Sequence, residues 1–300
     1  MKSAEENKGL FFGISAFIFW GIAPVYFKLV SEVSAWQILA HRIVGSCLLL
    51  FLTMLLFKKK FETRKIFKEP KLIFYLCLST LLIGFNWLLF TWAVINDYIM
   101  ETSLGYFINP LVNMLLGLLI FRDRLSPAKY SAIILAFIGV TYQIVAVGTV
   151  PIIALGLAFS FAFYGLIRKL LPVDTLNGQF TETLLLLPLG CLYLAFPIFD
   201  SLPSEGAADF NYWLLLAGAV TTVPLALFAS AASRLTLSTI GFMQFIAPSL
   251  TFTLAVFVYN EPVTTSKLVT FSFIWLGLFI YLVDGVSARR RARSQSASTL

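Results

Sequence analysis

A few ionisable side chains lie in or beside long apolar runs, where charge is costly and marks ion or substrate pathways. Arg42 stands about two turns inside one such run, next to the chain's only histidine, His41. A guanidinium there binds a substrate carboxylate or pairs with a carboxylate of the chain. Asp97 and Glu101 flank the start of another run at comparable depth, so the expectation is that Arg42 pairs with one of them. The alternative is an arginine that snorkels to lipid head groups. His41 either carries a proton, since its ordinary pKa is near neutrality, or is a hydrogen-bonded packing residue. Glu182 sits early in a later run, and Arg168 ends the run before it on the same side. A Glu182–Arg168 pair would neutralise both groups and form an inner gate; the alternative is a static helix-end ion pair.

A second set is polar or aromatic and falls near the middle of the runs. Trp20, Asn86, Trp87 and Tyr106 belong to it, as do Asn109, Asn113, Tyr164 and Gln244. With Arg42 they form the candidate substrate-binding set, because small-molecule pockets are mostly apolar and aromatic with a few placed polar groups. The alternative for the aromatics is a lipid-facing or interfacial position. For Asn86 and Asn113 it is a hydrogen bond between helices. Asn109 and Asn113 flank Pro110 in "GYFINPLVNM". A proline inside a helix removes one backbone hydrogen bond and favours a kink.

The elements that must hold these residues are membrane spans. The chain is 59% hydrophobic and 12% charged over 300 residues, and a soluble domain of that size cannot hide so much apolar surface. A span needs about 20 mostly apolar residues. Ten runs qualify: 9–30, 36–57, 72–95, 99–121, 127–147, 151–168, 179–199, 211–232, 238–259 and 265–285. The first is too long for a removable signal peptide and lacks a small-residue cleavage site. The three cysteines form no pair spacing, so neither a disulfide framework nor a thiolate metal site is expected.

The net charge of +7 would fit a nucleic-acid binder, but its placement excludes that reading. With the N-terminus in the cytoplasm, every Lys and Arg except Lys28, Arg42 and Lys267 falls on the cytoplasmic side. The outer loops "SEVSA", "NDY", "GTV" and "DSLPSEGAADFN" carry none, a strong positive-inside pattern. Residues 1–8 and the basic tail 287–300 are then cytoplasmic, and the tail reads as disordered.

The chain also resembles itself. "YFINPLVNMLLGLLIFRDRLSPAK" aligns without gaps on "QFIAPSLTFTLAVFVYNEPVTTSK", 138 residues later. Pro110 falls on Pro248, Asp123 on Glu261, Ser126 on Thr264 and Lys129 on Lys267. The shared prolines are therefore scaffold, whereas Ala247 and Thr251 replace Asn109 and Asn113 and break the symmetry. Five spans per half (9–147 and 151–286) is an odd number, so the second half must be inverted. The expected fold is an all-α polytopic membrane protein of ten transmembrane helices in two inverted five-helix repeats, as found in secondary transporters with a substrate site between the halves.

The aromatic–Gly step in the first span of each half and the proline of spans 4 and 9 followed by an acidic residue resemble the EamA family of the drug/metabolite transporter superfamily. "FIFWGIAPVYFKLV", "GFNWLLFTWAVIND", "ETSLGYFINPLVNMLLG" and "QFIAPSLTFTLAVFVYNEP" look like its RarD branch. The resemblance runs to about residue 286. It implies an inner-membrane transporter of small organic metabolites or drugs.

The partners expected are a small-molecule substrate and the lipid bilayer, without nucleic acid or cofactor; the sequence names no oligomeric partner. The chain has no GxxxxGK[ST] loop for ATP. A membrane-embedded enzyme is the competing class, but one histidine rules out HExxH and multi-histidine metal sites, and there is no GxSxG elbow. A structural or signalling membrane protein is the third class.

Overall fold

The computed structural model describes residues 2–122, 126–196, 212–232, 234–235, 239–240 and 243–298. Asp123 and the start of the ninth expected span lie outside the described residues. The described chain is all helical: α1 (Lys2–Leu29), α2 (Ala35–Leu56), α3 (Thr63–Phe67), α4 (Pro70–Ile95), α5 (Ile99–Phe121), α6 (Pro127–Val147), α7 (Ile152–Leu170) and α8 (Thr175–Ala195) come first. A 3₁₀ turn (Tyr212–Leu216) then leads into α9 (Ala217–Ala232), followed by α10 (Ile246–Thr253), which runs on as a π turn (Leu254–Val258), and by α11 (Thr265–Ser298).

Among the described residues nine helices are long and apolar enough to cross a membrane, and the apolar segment Ile246–Val258 is shorter. This makes a multi-pass membrane protein. The expected spans match these helices with differences at their ends, α1 for example starting at Lys2 instead of 9. In the ninth, expected over 238–259, residues 239–240 and 243 are helical, a turn at 244–245 precedes α10, and α10 ends in the π turn, where the Tyr259 amide donates to the Leu254 carbonyl at 2.9 Å. The seventh starts at Thr175 instead of 179, because Asp174 caps it by accepting from the Asn177 amide. The backbone of α11 stays helical through Ser298, across the segment expected to be a disordered tail; its Ala and Arg residues are good helix formers.

The loop after α2 holds an element that hydropathy did not register. The short helix α3 buries Ile66, and its preceding Glu62 amide donates to Asn177 Oδ1 at 2.9 Å, tying this basic loop to α8.

Helix pairing positions the candidate site. α1 packs on α9 and α10, α2 on α8 and α9, α4 on α7 and α8, α5 on α7 and α10, and α6 on α11. In a membrane such contacts rely on small residues that let backbones approach. Gly45 of α2 and Gly218 of α9 meet backbone to backbone, and a Cβ at 218 would overlap Gly45. At the α6–α11 crossing, a Cβ at Gly139 would lie 3.1 Å from the Thr270 carbonyl, and one at Gly277 would lie 2.9 Å from the Ala132 carbonyl.

The turns after α5 and after α10 have the same local build. Arg122 (φ 54°) and Asn260 (φ 53°) are both left-handed. Ser126 Oγ then accepts from the Lys129 amide, and Thr264 Oγ1 from the Lys267 amide, each at 3.3 Å.

Candidate functional site

Arg42 is the centre of the first cluster. It lies on α2 and is buried. Its Nε donates to Thr221 Oγ1 on α9 at 3.0 Å. Its Nη1 donates to Thr91 Oγ1 at 3.0 Å and to the Trp87 carbonyl at 3.3 Å, both on α4. The guanidinium carbon sits 5.0 Å from the Phe27 ring centre and 5.1 Å from that of Trp87, within cation–π range. Arg42 is therefore neither snorkelling nor bonded to an acid. The expected pairing with Asp97 or Glu101 is corrected: Asp97 Oδ1 is held by Lys28 Nζ at 2.6 Å, and Glu101 Oε1 lies 3.9 Å from Lys267 Nζ. Two flexible amines at that end of the bundle reach the two acids first, and the guanidinium is left to hydroxyls, a carbonyl and π faces.

Tyr106 belongs to the same neighbourhood. Its ring is 5.7 Å from Phe90, whose ring is 5.6 Å from Phe27. His41, adjacent in sequence, has its Nδ1 2.9 Å from the Gln37 carbonyl one turn back, which fits the packing reading.

Glu182 on α8 is the centre of the second cluster and is buried. Arg168 Nε of α7 lies 3.7 Å from its Oε1, so the expected pair is present. Ser79 Oγ of α4 donates to Oε1 at 2.6 Å, and Tyr164 Oη of α7 donates to Oε2 at 3.2 Å. The carboxylate thus ties three helices together. Gly178, one turn before Glu182, leaves the room the Arg168 guanidinium fills; a Cβ there would overlap it.

A third cluster lies at the start of α5, where Glu261 accepts from the Ile99 amide at 2.6 Å and the Met100 amide at 2.9 Å. These amides have no partner within their own helix, and a carboxylate suits the positive end of the helix dipole.

The asparagines serve as ties between helices. Asn86 Nδ2 donates to the Leu157 carbonyl at 3.1 Å and to Ser160 Oγ at 2.9 Å. Asn109 Nδ2 donates to the Ala158 carbonyl at 3.0 Å, and its Oδ1 accepts from Asn113 Nδ2 at 3.0 Å. Trp20 stands apart from Arg42, in an aromatic group with Phe17 and Phe228. Gln244 lies in the turn before α10, its amide donating to the Ile240 carbonyl at 3.1 Å. α5 is unbroken through Pro110, and the Pro248 carbonyl accepts from Ser103 Oγ at 2.8 Å, joining α10 to α5. No group of three or more metal-ligating side chains occurs among the described residues.

The sequence that builds this all-helical bundle matches a known family. The EamA-like transporter family matches residues 7–144 and again 149–283. The chain belongs to the EamA-like transporter family. It is 46% identical to Protein RarD of Salmonella typhi over 294 residues, which cover 97% of this chain and 100% of that protein. It is 38% identical to the uncharacterized transporter YojE of Bacillus subtilis (strain 168) over 300 residues, covering 98% and 100%. A solved crystal structure superposes with a TM-score of 0.60 at 15% identity, over 92% of this chain and 98% of that one; this shows a shared fold. As an EamA-like chain of RarD type, the protein is a membrane transporter by family.

Proposed function

We propose that the protein is a secondary transporter that moves a small organic metabolite or drug-like solute across the inner membrane. It works by alternating access between two inverted five-helix repeats, with both chain ends in the cytoplasm. The observation that carries this reading is the buried Arg42, held between α2 and α4 of the first half and α9 of the second. A charge at a seam between two halves is what a solute pathway requires.

Several observations support the inverted repeat. The family matches each half separately. Exchanging the halves maps the packing of α1 on α9 onto that of α7 on α4, and α2 on α9 onto α8 on α4. The left-handed residues Arg122 and Asn260, and the caps Ser126 and Thr264, are each 138 residues apart. So are Gly139 and Gly277, and each touches the equivalent of the residue its partner touches, Thr270 and Ala132.

In this reading the Glu182–Arg168 cluster is the inner gate. The Lys28–Asp97, Lys267–Glu101 and Glu261 contacts form the outer one. Flux of a metabolite panel in proteoliposomes, with and without a pH gradient, tests the proposal. Solute-specific flux is expected, and its response to the gradient separates proton coupling from exchange. Turnover of a compound without flux of any solute overturns it.

A further inference from the structure

We infer that Arg42 is the anchor of a ligand site for a carboxylate-bearing organic solute, set against the aromatic faces of Phe27 and Trp87. The inference rests on the transporter reading for its biological sense and on geometry for its chemistry.

A buried guanidinium normally has an acid beside it. Arg42 has none among the described residues, and Asp97 and Glu101, the acids expected beside it, are engaged by Lys28 and Lys267. Its partners Thr221, Thr91 and the Trp87 carbonyl are neutral dipoles. They fix the plane of the group through Nε and Nη1, and Nη2 has no hydrogen bond to any described residue. The Tyr106 hydroxyl, a second donor in the same neighbourhood, also has none. A rigidly held cation with one free donor edge and no counter-ion is complementary to an anion that arrives from outside. Single charge matches single charge: a carboxylate neutralises Arg42, whereas a phosphate dianion would bring a second charge that no cation bonded near Arg42 among the described residues offsets. The guanidinium fork also suits a planar carboxylate. Phe27 and Trp87, whose ring centres lie 5.0 and 5.1 Å from the guanidinium carbon, supply apolar contact for the rest of the solute.

The test uses the full-length protein purified in detergent, with tryptophan fluorescence and melting temperature as readouts. The probes are benzoate, phenylacetate and indole-3-acetate, each against its neutral amide. Trp87 touches the Arg42 group, so binding there is expected to change its emission. The acids are expected to bind on the order of tenfold to a hundredfold more tightly than their amides, the value of a charge-assisted hydrogen bond. Arg42→Gln is expected to abolish that preference, and Arg42→Lys to weaken it. Equal binding of acid and amide, binding of neither, or an acid preference that survives Arg42→Gln overturns the inference. The wild-type comparison stands even where the Arg42 variants fail to fold. Flux measured in parallel separates the two readings. Charge-indifferent flux sinks the carboxylate site and leaves transport standing; acid-selective binding without flux does the reverse.

Discussion

The Arg168 guanidinium and the Glu182 carboxylate lie 3.7 Å apart on successive helices, and Ser79 on a third helix completes the contact from the other half of the chain. Removing only the acid leaves the partly buried Arg168 without its counter-charge, which costs up to about 3 kcal/mol, the low end of the range for a fully buried pair. Glu182→Gln is therefore expected to lower both the melting temperature and solute flux. The double variant Glu182→Gln with Arg168→Gln is expected to regain most of the stability, since no unpaired charge remains, while flux stays low. Normal flux in the double variant would remove the pair from the gating mechanism.

Asn86 spends its amide on the Leu157 carbonyl and Ser160. Asn86→Ala is expected to cost about 0.6–1.7 kcal/mol, the range for hydrogen bonds between membrane helices, without changing KM for a transported solute. A raised KM at unchanged stability would place Asn86 in the substrate site instead.

Glycine positions differ sharply in what they tolerate. Gly218→Val forces α9 off α2 and is expected to destabilise by about 1–3 kcal/mol, as overpacking does. Gly165→Ala meets nothing within 4 Å and is expected to be neutral or stabilising, by up to about 1 kcal/mol, because alanine is the better helix former. Thermal unfolding in one detergent compares the two directly.

Glu261, in the turn between α10 and α11, titrates in a way that stability should report. Burial raises its carboxyl above the ordinary range, although the Met100 and Ile99 amides and Lys267 pull the other way. An acid with a raised folded-state pKa keeps its proton longer in the folded protein. Its contribution is present below the ordinary carboxylate value and is lost as pH rises through the raised one. Melting temperature is expected to fall across that window in the wild type and to lose this slope in Glu261→Gln. The same variant should cost about 0.5–2 kcal/mol, as a lost helix cap does. An unchanged slope would assign the titration to another group.

The spans were legible because lipid exposure demands long apolar runs, and that demand is local in sequence. The Glu182–Arg168 pair was legible because both residues flank one short loop. The partners of Arg42 are not legible, because depth in a span does not separate one acid or cation from another. Lys28 and Lys267 are the other two cations at that end, they engage Asp97 and Glu101, and depth in the sequence does not rank these two against Arg42. Its actual partners, Thr91 and Thr221, lie 49 and 179 positions away, and threonines in apolar helices carry no signal that separates them from packing residues. Ser79 was missed for the same reason. The π turn at Leu254–Val258 is a backbone choice, and hydropathy does not record it.

The contact between Gly45 and Gly218 has one more consequence. It lies one turn from Arg42 and Thr221, on the same two antiparallel faces. An arginine side chain usually wanders on its flexible stem, so the position of its charge is known only as an average. Here main chain rests on main chain, with no rotamer between the helices to relax, and the spacing that Nε must bridge is set by covalent geometry. The guanidinium inherits the stiffness of two backbones. For the proposed carboxylate site this means positional precision: a solute displaced by a fraction of a bond length would find no compensating shift of the charge, and selectivity would follow from rigidity as much as from the number of contacts.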